Sequence, residues 1–336
     1  MDFPAVDVDA SPQPWTGRYD GDGAEHRRWW QAVEPLRGDS LIGPVEITAD
    51  GSRQARLADG SRQARPAAVL LGFCSDEGVR RNQGRPGAAA APAEIRAALG
   101  SLAFHLDRRV HDAGDVAVVG DDLEAGQARA GAAISALLDA GALPVVLGGG
   151  HETAYASYLG VAGSRRMGEG ARLGVLNLDA HFDLRDEPVP SSGTPFLQMA
   201  GAEAEAGREL RYAVVGISEP NNTRTLFETA GRLGVQYLLD EDCLAERARD
   251  FVAAFLDSVD VLYLTIDLDV LPSAVAPGVS APAAYGVPLA VIAAVCRQIA
   301  ASGKLIHCDV AELNPEFDVD HRTAKVAARL VNTLLR

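Results

Sequence analysis

Cysteine is sparse in this chain. Among 336 residues there are four, Cys74, Cys243, Cys296 and Cys308, and none forms a C-x-x-C pair, which argues against a disulfide framework and against a zinc-finger pattern. Cys296 and Cys308 lie in apolar periodic stretches and read as core, while Cys74 and Cys243 follow strand-like segments. Also missing are a basic N-terminal region followed by an apolar run, and any charge-free span of about 20 apolar residues. The expectation is a cytoplasmic protein with no membrane partner.

Positive charge is the other shortage. Lys and Arg number 31 against 46 Asp and Glu, a formal net charge of -15. Nucleic acids and anionic membranes are bound by neutralising their negative charge with cationic side chains. Neither is therefore an expected partner, and a small soluble substrate is. What the chain does have is length and apolar content: 47% hydrophobic residues over 336 positions suffice for a large core without covalent staples.

Residues 1–66 are rich in Gly, Pro and charge, contain the paired Trp29 and Trp30, and show little periodicity. They read as an irregular arm. The arm ends in a tandem duplication, ADGSRQARL at 49–57 followed by ADGSRQARP at 58–66; a single short copy fits an expanded surface loop, since a solenoid needs several repeats. From 67 onward, short runs of Val, Leu and Ile alternate with longer Ala-rich amphipathic stretches. Strands are expected at 67–73, 115–119, 143–147, 172–178, 212–217, 236–239, 261–267 and 304–310, and helices at 91–99, 124–140, 223–233, 246–256, 288–301 and 323–335. Strand–helix alternation gives parallel crossovers, and nearly all-apolar strands are buried on both faces. The expected architecture is one α/β domain over 67–336, a mostly parallel sheet of about eight strands flanked by helices.

The polar signals collect where strands end, which is where open parallel sheets bind ligands. After PVVL comes Gly148-Gly149-Gly150-His151-Glu152, a glycine turn that delivers an imidazole at the start of a helix; alone, it serves equally as a turn carrying a surface His. After GVLNL comes Asp179-Ala180-His181-Phe182-Asp183. In extended backbone, alternate side chains share a face, so Asp179, His181 and Asp183 are expected to converge. Unpaired charge buried there would have no packing purpose. After VLYLTI comes Asp267-Leu268-Asp269, with the same spacing and two more acids that would repel unless a cation neutralised them. Last, Glu312 sits within DVAELNP at 309–315, placed to face a cationic substrate group. His151, Asp179, His181, Asp183, Asp267 and Asp269 make an oxygen-rich set too large for one zinc. Such a set suggests two metals bridged by carboxylates, with manganese favoured over zinc by the hard ligands.

The motifs GGGHE, DAHFD, IDLDVLP and AELNP, in this order, resemble the ureohydrolase superfamily of arginase, agmatinase, guanidinobutyrase and formimidoylglutamase, from about residue 67 to the C-terminus. The resemblance implies a three-layer α/β arginase-like fold, two Mn2+ per subunit and a homo-oligomer. Carried over residue by residue, it implies that His151, Asp179, Asp183 and Asp267 hold one ion. Asp179, His181, Asp267 and Asp269 would hold the other, so that Asp179 and Asp267 bridge. SDEGVRRNQGRPG at 75–87, PWTGRYDG at 14–21 and SSGTPF at 191–196 are similar to the formimidoylglutamase branch. Where arginases carry a His thought to shuttle protons, this chain has Ser191 and Ser192, which counts against arginine as substrate.

The implied reaction is hydrolysis of the formimino C–N bond of N-formimidoyl-glutamate to glutamate and formamide. Glu312 is expected to orient the amidinium, and Asp183 to carry the proton to the departing amine. The substrate's two carboxylates call for cationic donors, and Arg85, Arg185 and Arg224 lie in loops near motif or strand ends. Other amidine or guanidine hydrolases remain as alternatives: a guanidinobutyrase, guanidinopropionase or agmatinase would release urea. A non-catalytic metal sensor is the alternative of a different class, although none of the six ligand types has been lost.

Overall fold

The computed structural model describes residues 3–36, 65–168 and 170–336. The duplicated stretch, and the surface loop expected of it, lies outside the described residues apart from Arg65 and Pro66. In chain order the elements begin with α1 (Trp29–Ala32), β1 (Glu34–Pro35), β2 (Ala68–Cys74), α2 (Glu77–Arg81), α3 (Ala91–Gly100), β3 (Val110–Ala117), α4 (Leu123–Asp139) and β4 (Leu143–Leu147). There follow α5 (Thr153–Gly163), β5 (Leu173–Leu178), α6 (Pro195–Glu205), β6 (Arg211–Ile217), α7 (Arg224–Arg232) and β7 (Gln236–Leu239). The last elements are α8 (Ala245–Ser258), β8 (Val261–Asp267), α9 (Leu289–Ala301), β9 (Leu305–Ala311) and α10 (Arg322–Leu334).

The strands form one nine-stranded sheet in the order β1-β3-β2-β4-β9-β8-β5-β6-β7, and every pairing between them is parallel. Side-chain alternation along each strand divides the core in two. Ala68 and Leu70 of β2, Leu143, Val145 and Leu147 of β4, and Leu262, Leu264 and Ile266 of β8 pack with α3, α8, α9 and α10. Val69, Leu71 and Phe73, Val146, and Tyr263 face the other way, toward α4, α5, α6 and α7. Helices therefore cover both faces, giving three layers, as expected for strands apolar on both sides. Among the described residues no helix is long and apolar enough to cross a membrane.

Two expectations need correction. The sheet has nine strands where about eight were expected; the additional one, β1, lies in the arm and pairs only Glu34 and Pro35 with His111 and Asp112, too short to leave a periodic signal. The arm is accordingly not wholly irregular. Its Trp29 is fully buried and donates Nε1–H to Asn332 Oδ1 at 3.0 Å. The second correction concerns β3, which spans Val110–Ala117 where 115–119 was expected; its start was hidden from the apolar pattern by the buried polar residues His111 and Asp112. Asp112 accepts from Trp15 Nε1 at 2.8 Å and from Arg96 Nη2 at 2.9 Å, so its burial is satisfied. Helices α2 and α6 had no sequence expectation, and α5 is so largely buried that it shows no polar face.

The layer of α4 and α5 depends on a close approach at glycine. A Cβ on Gly160 would lie 2.5 Å from Ile134 Cβ and 2.9 Å from the Gly131 carbonyl oxygen, closer than real contacts allow. Gly160→Val is expected to destabilise by about 3 kcal/mol through overpacking, read as a lower urea midpoint with an unchanged m-value. A midpoint equal to that of the wild type would disprove this helix–helix contact.

Candidate metal centre and substrate cleft

Strands β4, β9, β8 and β5 are neighbours in the sheet, so the four motifs that follow them emerge side by side. The loop after β4 is pinned by Gly148 N–H to the Val310 carbonyl at 2.8 Å and by Gly150 N–H to the Ser75 carbonyl at 3.0 Å. It presents His151 with Nδ1 toward three carboxylates. That nitrogen lies 2.8 Å from Asp183 Oδ2, 3.1 Å from Asp179 Oδ2 and 3.2 Å from Asp267 Oδ2. Beside this group, His181 Nδ1 lies 3.0 Å from Asp269 Oδ2 and 3.5 Å from Asp179 Oδ1. Two sets able to hold a cation result, His151 with Asp179, Asp183 and Asp267, and His181 with Asp179 and Asp269. Asp179 belongs to both, whereas Asp267, expected to be shared as well, falls in the first group alone.

The convergence is not produced by extended backbone, as alternate spacing had suggested. Asp179 Oδ1 accepts the His181 N–H at 2.7 Å, and Asp267 Oδ1 accepts the Asp269 N–H at 2.8 Å, so each D-x-[HD] motif folds into an Asx turn. In both, Oδ2 is the oxygen that faces His151. Asp183 reaches the cluster through a left-handed backbone, φ 48°. Asn222 holds this loop in place, accepting from Phe182 N–H and donating to the Ala180 carbonyl.

Electrostatics show why the cluster suits cations. Burial pushes the carboxyl pKa of Asp267 up, and the charges of Asp269 and Asp179 push it further; burial and Asp179 likewise raise Asp183. Burial opposes protonation of His151, yet Asp179, Asp183 and Asp267 hold its pKa well above the usual imidazole value. Protons thus compete for a place that a hard divalent ion would fill, and the donors are oxygen and imidazole nitrogen with no sulfur. The residues fit such an ion.

The cluster floors an open cleft of 330 Å³. Glu312, with φ 69°, lines it and accepts the His151 N–H on Oε1 at 2.8 Å. Burial, together with the charge of Glu152, pushes its carboxyl up to about 8. Of the three arginines expected to meet substrate, Arg85 and Arg185 line the cleft and Arg224 does not. Arg224 is the exposed first residue of α7, so its proximity in sequence to the end of β6 was misleading. Arg85 is partly committed: Nε donates to the Ser280 carbonyl at 2.9 Å, Nη2 to the Val279 carbonyl, and the guanidinium lies 3.8 Å over the Phe317 ring. Arg185 makes no side-chain hydrogen bond or ion pair among the described residues and sits exposed at the mouth. Neutral donors that were not expected to meet substrate also line the cleft, namely Asn82, Gln83, Asn221, Asn222, Ser192 and Ser280. Asn82 was legible only within the 75–87 resemblance, and Ser280 carried no signal.

Residues 66–336 match the Arginase family. A formimidoylglutamase of Nocardia farcinica is 55% identical over 325 residues, spanning 96% of this chain and 96% of that one. One of Rhodococcus jostii is 54% identical over 327 residues, spanning 96% and 95%. Among solved structures, Trypanosoma cruzi formiminoglutamase with Mn2+2 is similar at a TM-score of 0.71 and 26% identity, covering 80% of this chain and 92% of that one. Arginase from Bacillus subtilis shares the fold, with a TM-score of 0.67 at 22% identity over 80% and 98% of the two chains.

A ligand that binds only the folded state stabilises it by about 2.7 kcal/mol at a hundred times its Kd. Excess Mn2+ is therefore expected to raise the melting temperature and EDTA to reverse the rise, with Asp179→Ala abolishing the response because Asp179 serves both groups. Identical melts with Mn2+ and with EDTA would rule out the cation site.

Proposed function

The chain belongs to the arginase family, and on that premise we propose that it hydrolyses the formimino C–N bond of N-formimidoyl-L-glutamate to L-glutamate and formamide, a step of histidine degradation. The observation that carries this reading is the pair of buried cation-holding groups sharing Asp179 beneath a cleft with Arg185 at its mouth. Support for the substrate comes from relatives named formimidoylglutamase that align over nearly the whole length. His151, Asp179, Asp183 and Asp267 would hold one Mn2+, and Asp179, His181, Asp267 and Asp269 the other, with Asp179 and Asp267 common to both. When bound, the two cations supply the Lewis acidity that makes hydroxide available at neutral pH.

The chain's own groups do the rest. Glu312 accepts hydrogen bonds from the amidinium nitrogens, and the positive charge opposite it favours the carboxylate over the acid that burial favours. Its placement is fixed by the His151 N–H, so the formimino carbon is held over the cluster floor. Oxygen from water joins that carbon, the bond to the glutamate nitrogen breaks, and the departing amine takes up a proton. Asp183, the most exposed of the four acids in the cluster, is the residue assigned to deliver it. Arg185 is the donor for the distal carboxylates, with Arg85 shaping the wall through its bonds to Val279 and Ser280.

A side-by-side assay of Mn2+-loaded protein on N-formimidoyl-L-glutamate, guanidinobutyrate, agmatine and arginine, with products identified chemically, tests the assignment. Formamide and glutamate from the first alone are expected; urea from any of the others would move the substrate. Arg185→Ala is expected to raise KM about tenfold to a hundredfold, the worth of a charged hydrogen bond of about 1.5–3 kcal/mol, while leaving kcat within a fewfold. Arg224→Ala should leave both constants unchanged. If Arg185→Ala keeps the wild-type KM, the carboxylates are held elsewhere.

A further inference from the structure

Beneath the cluster, on the side of His151 away from the carboxylates, lies a chain of polar side chains that no ligand assignment uses. His151 Nε2 is 3.0 Å from Thr265 Oγ1, Thr265 Oγ1 is 2.5 Å from Asp309 Oδ1, and Tyr263 OH is 2.6 Å from Asp309 Oδ2. All four residues are buried, Thr265 and Asp309 with 0% exposure. The arrangement follows from sheet register: Thr265 of β8 pairs directly with Asp309 of β9, and Tyr263, Thr265 and Asp267 share one face of β8 because side chains alternate. Leu262, Leu264 and Ile266 on the opposite face are core. A hydroxyl and a carboxylate in such a place are unfavourable unless hydrogen-bonded.

We propose that Thr265 and Asp309 are positioning residues for the metal centre, which keep hydrogen on His151 Nε2 and so aim Nδ1 at the place that a cation would share with Asp179, Asp183 and Asp267. The inference rests on the reading of those residues as a cation site. Its logic is the direction of the bonds. The Tyr263 hydroxyl donates to one Asp309 oxygen and the Thr265 hydroxyl to the other. Thr265, its single proton committed, can only accept from His151, which places hydrogen on Nε2 and leaves Nδ1 free to donate its lone pair. The same bond fixes the ring plane, so that Nδ1 points at the three carboxylate oxygens at 2.8–3.2 Å. Outer partners of metal-binding imidazoles act in this way, and their loss costs about 10–100-fold in metal affinity.

Equilibrium dialysis of the full chain against 54Mn2+, with metal-free melts recorded in parallel, tests this for the wild type, Thr265→Val, Thr265→Ser and Asp309→Asn. Valine keeps the shape and removes the hydroxyl; serine keeps the hydroxyl and removes the methyl. The wild type is expected to bind two ions. Thr265→Val and Asp309→Asn should weaken one of them about tenfold to a hundredfold, and Thr265→Ser should bind as the wild type does even if its metal-free melt falls. Wild-type affinities for both ions in Thr265→Val, or the same loss in Thr265→Ser as in Thr265→Val, would overturn the inference and leave the proposed reaction standing. A wild type that binds no Mn2+ would overturn both.

Discussion

Acids brought together at the floor of a protein cleft repel one another. At an effective dielectric of about 20, two unit charges about 4 Å apart cost about 4 kcal/mol, and Asp179, Asp183, Asp267 and Asp269 are buried or nearly so. That repulsion is the constraint on which the surrounding structure depends. It is why two imidazoles sit among the acids, why Asp267 is pushed toward its protonated form, and why the donor set accommodates a cation better than it accommodates its own charge. A scaffold able to hold such a cluster must be rigid before the ion arrives, since two imidazoles offset the repulsion among four acids only in part.

The parallel sheet supplies that rigidity. Strands β4, β9, β8 and β5 lie side by side under two helical layers, and hydrogen bonds running along the loops above them continue the sheet's order into the site. Gly148 bonds to Val310, Glu312 to Gly149, and Asp179 to Val215 through backbone N–H groups. The Asx turns at Asp179 and Asp267 then use one carboxylate oxygen to fold the loop and leave the other for chemistry. One side chain thus does both jobs, which explains how a five-residue motif such as DAHFD can be placed so closely by so short a stretch of chain.

Much of this was legible in the sequence, and the reasons differ by element. The central strands declared themselves because burial on both faces demands continuous apolar runs, and the acids declared themselves because nothing apolar explains them at strand ends. β1 was invisible because a two-residue strand has no period, and the early part of β3 because His111 and Asp112 break the apolar run, the burial of Asp112 being satisfied by Trp15 and Arg96 from outside the strand. Helix α5 lacked a polar stripe. Convergence of Asp179, His181 and Asp183 was anticipated from strand geometry, whereas the turn that achieves it depends on side-chain-to-backbone bonds that periodicity does not encode. Arg224 shows the limit of reasoning by proximity: a residue that closely follows β6 in sequence heads α7 instead of lining the cleft.

Backbone strain marks the same place independently. Asp183 and Glu312 adopt left-handed φ values of 48° and 69°, a conformation that costs non-glycine residues about 1–3 kcal/mol and persists only where surroundings over-determine it. Here they do. Glu312 is held by its N–H to the Gly149 carbonyl and by the His151 N–H on its carboxylate, and the Asp183 carbonyl accepts from Phe196 at the start of α6. A glycine at either position would relieve the strain and lose the carboxylate. A non-glycine residue in an extended conformation would keep the carboxylate and turn it away. Since the two strained acids of the cleft are the ones assigned to orient the amidinium and to move the proton, the strain and the chemistry there have one cause: each carboxyl must enter the cleft from a backbone that is reversing direction at the end of a strand.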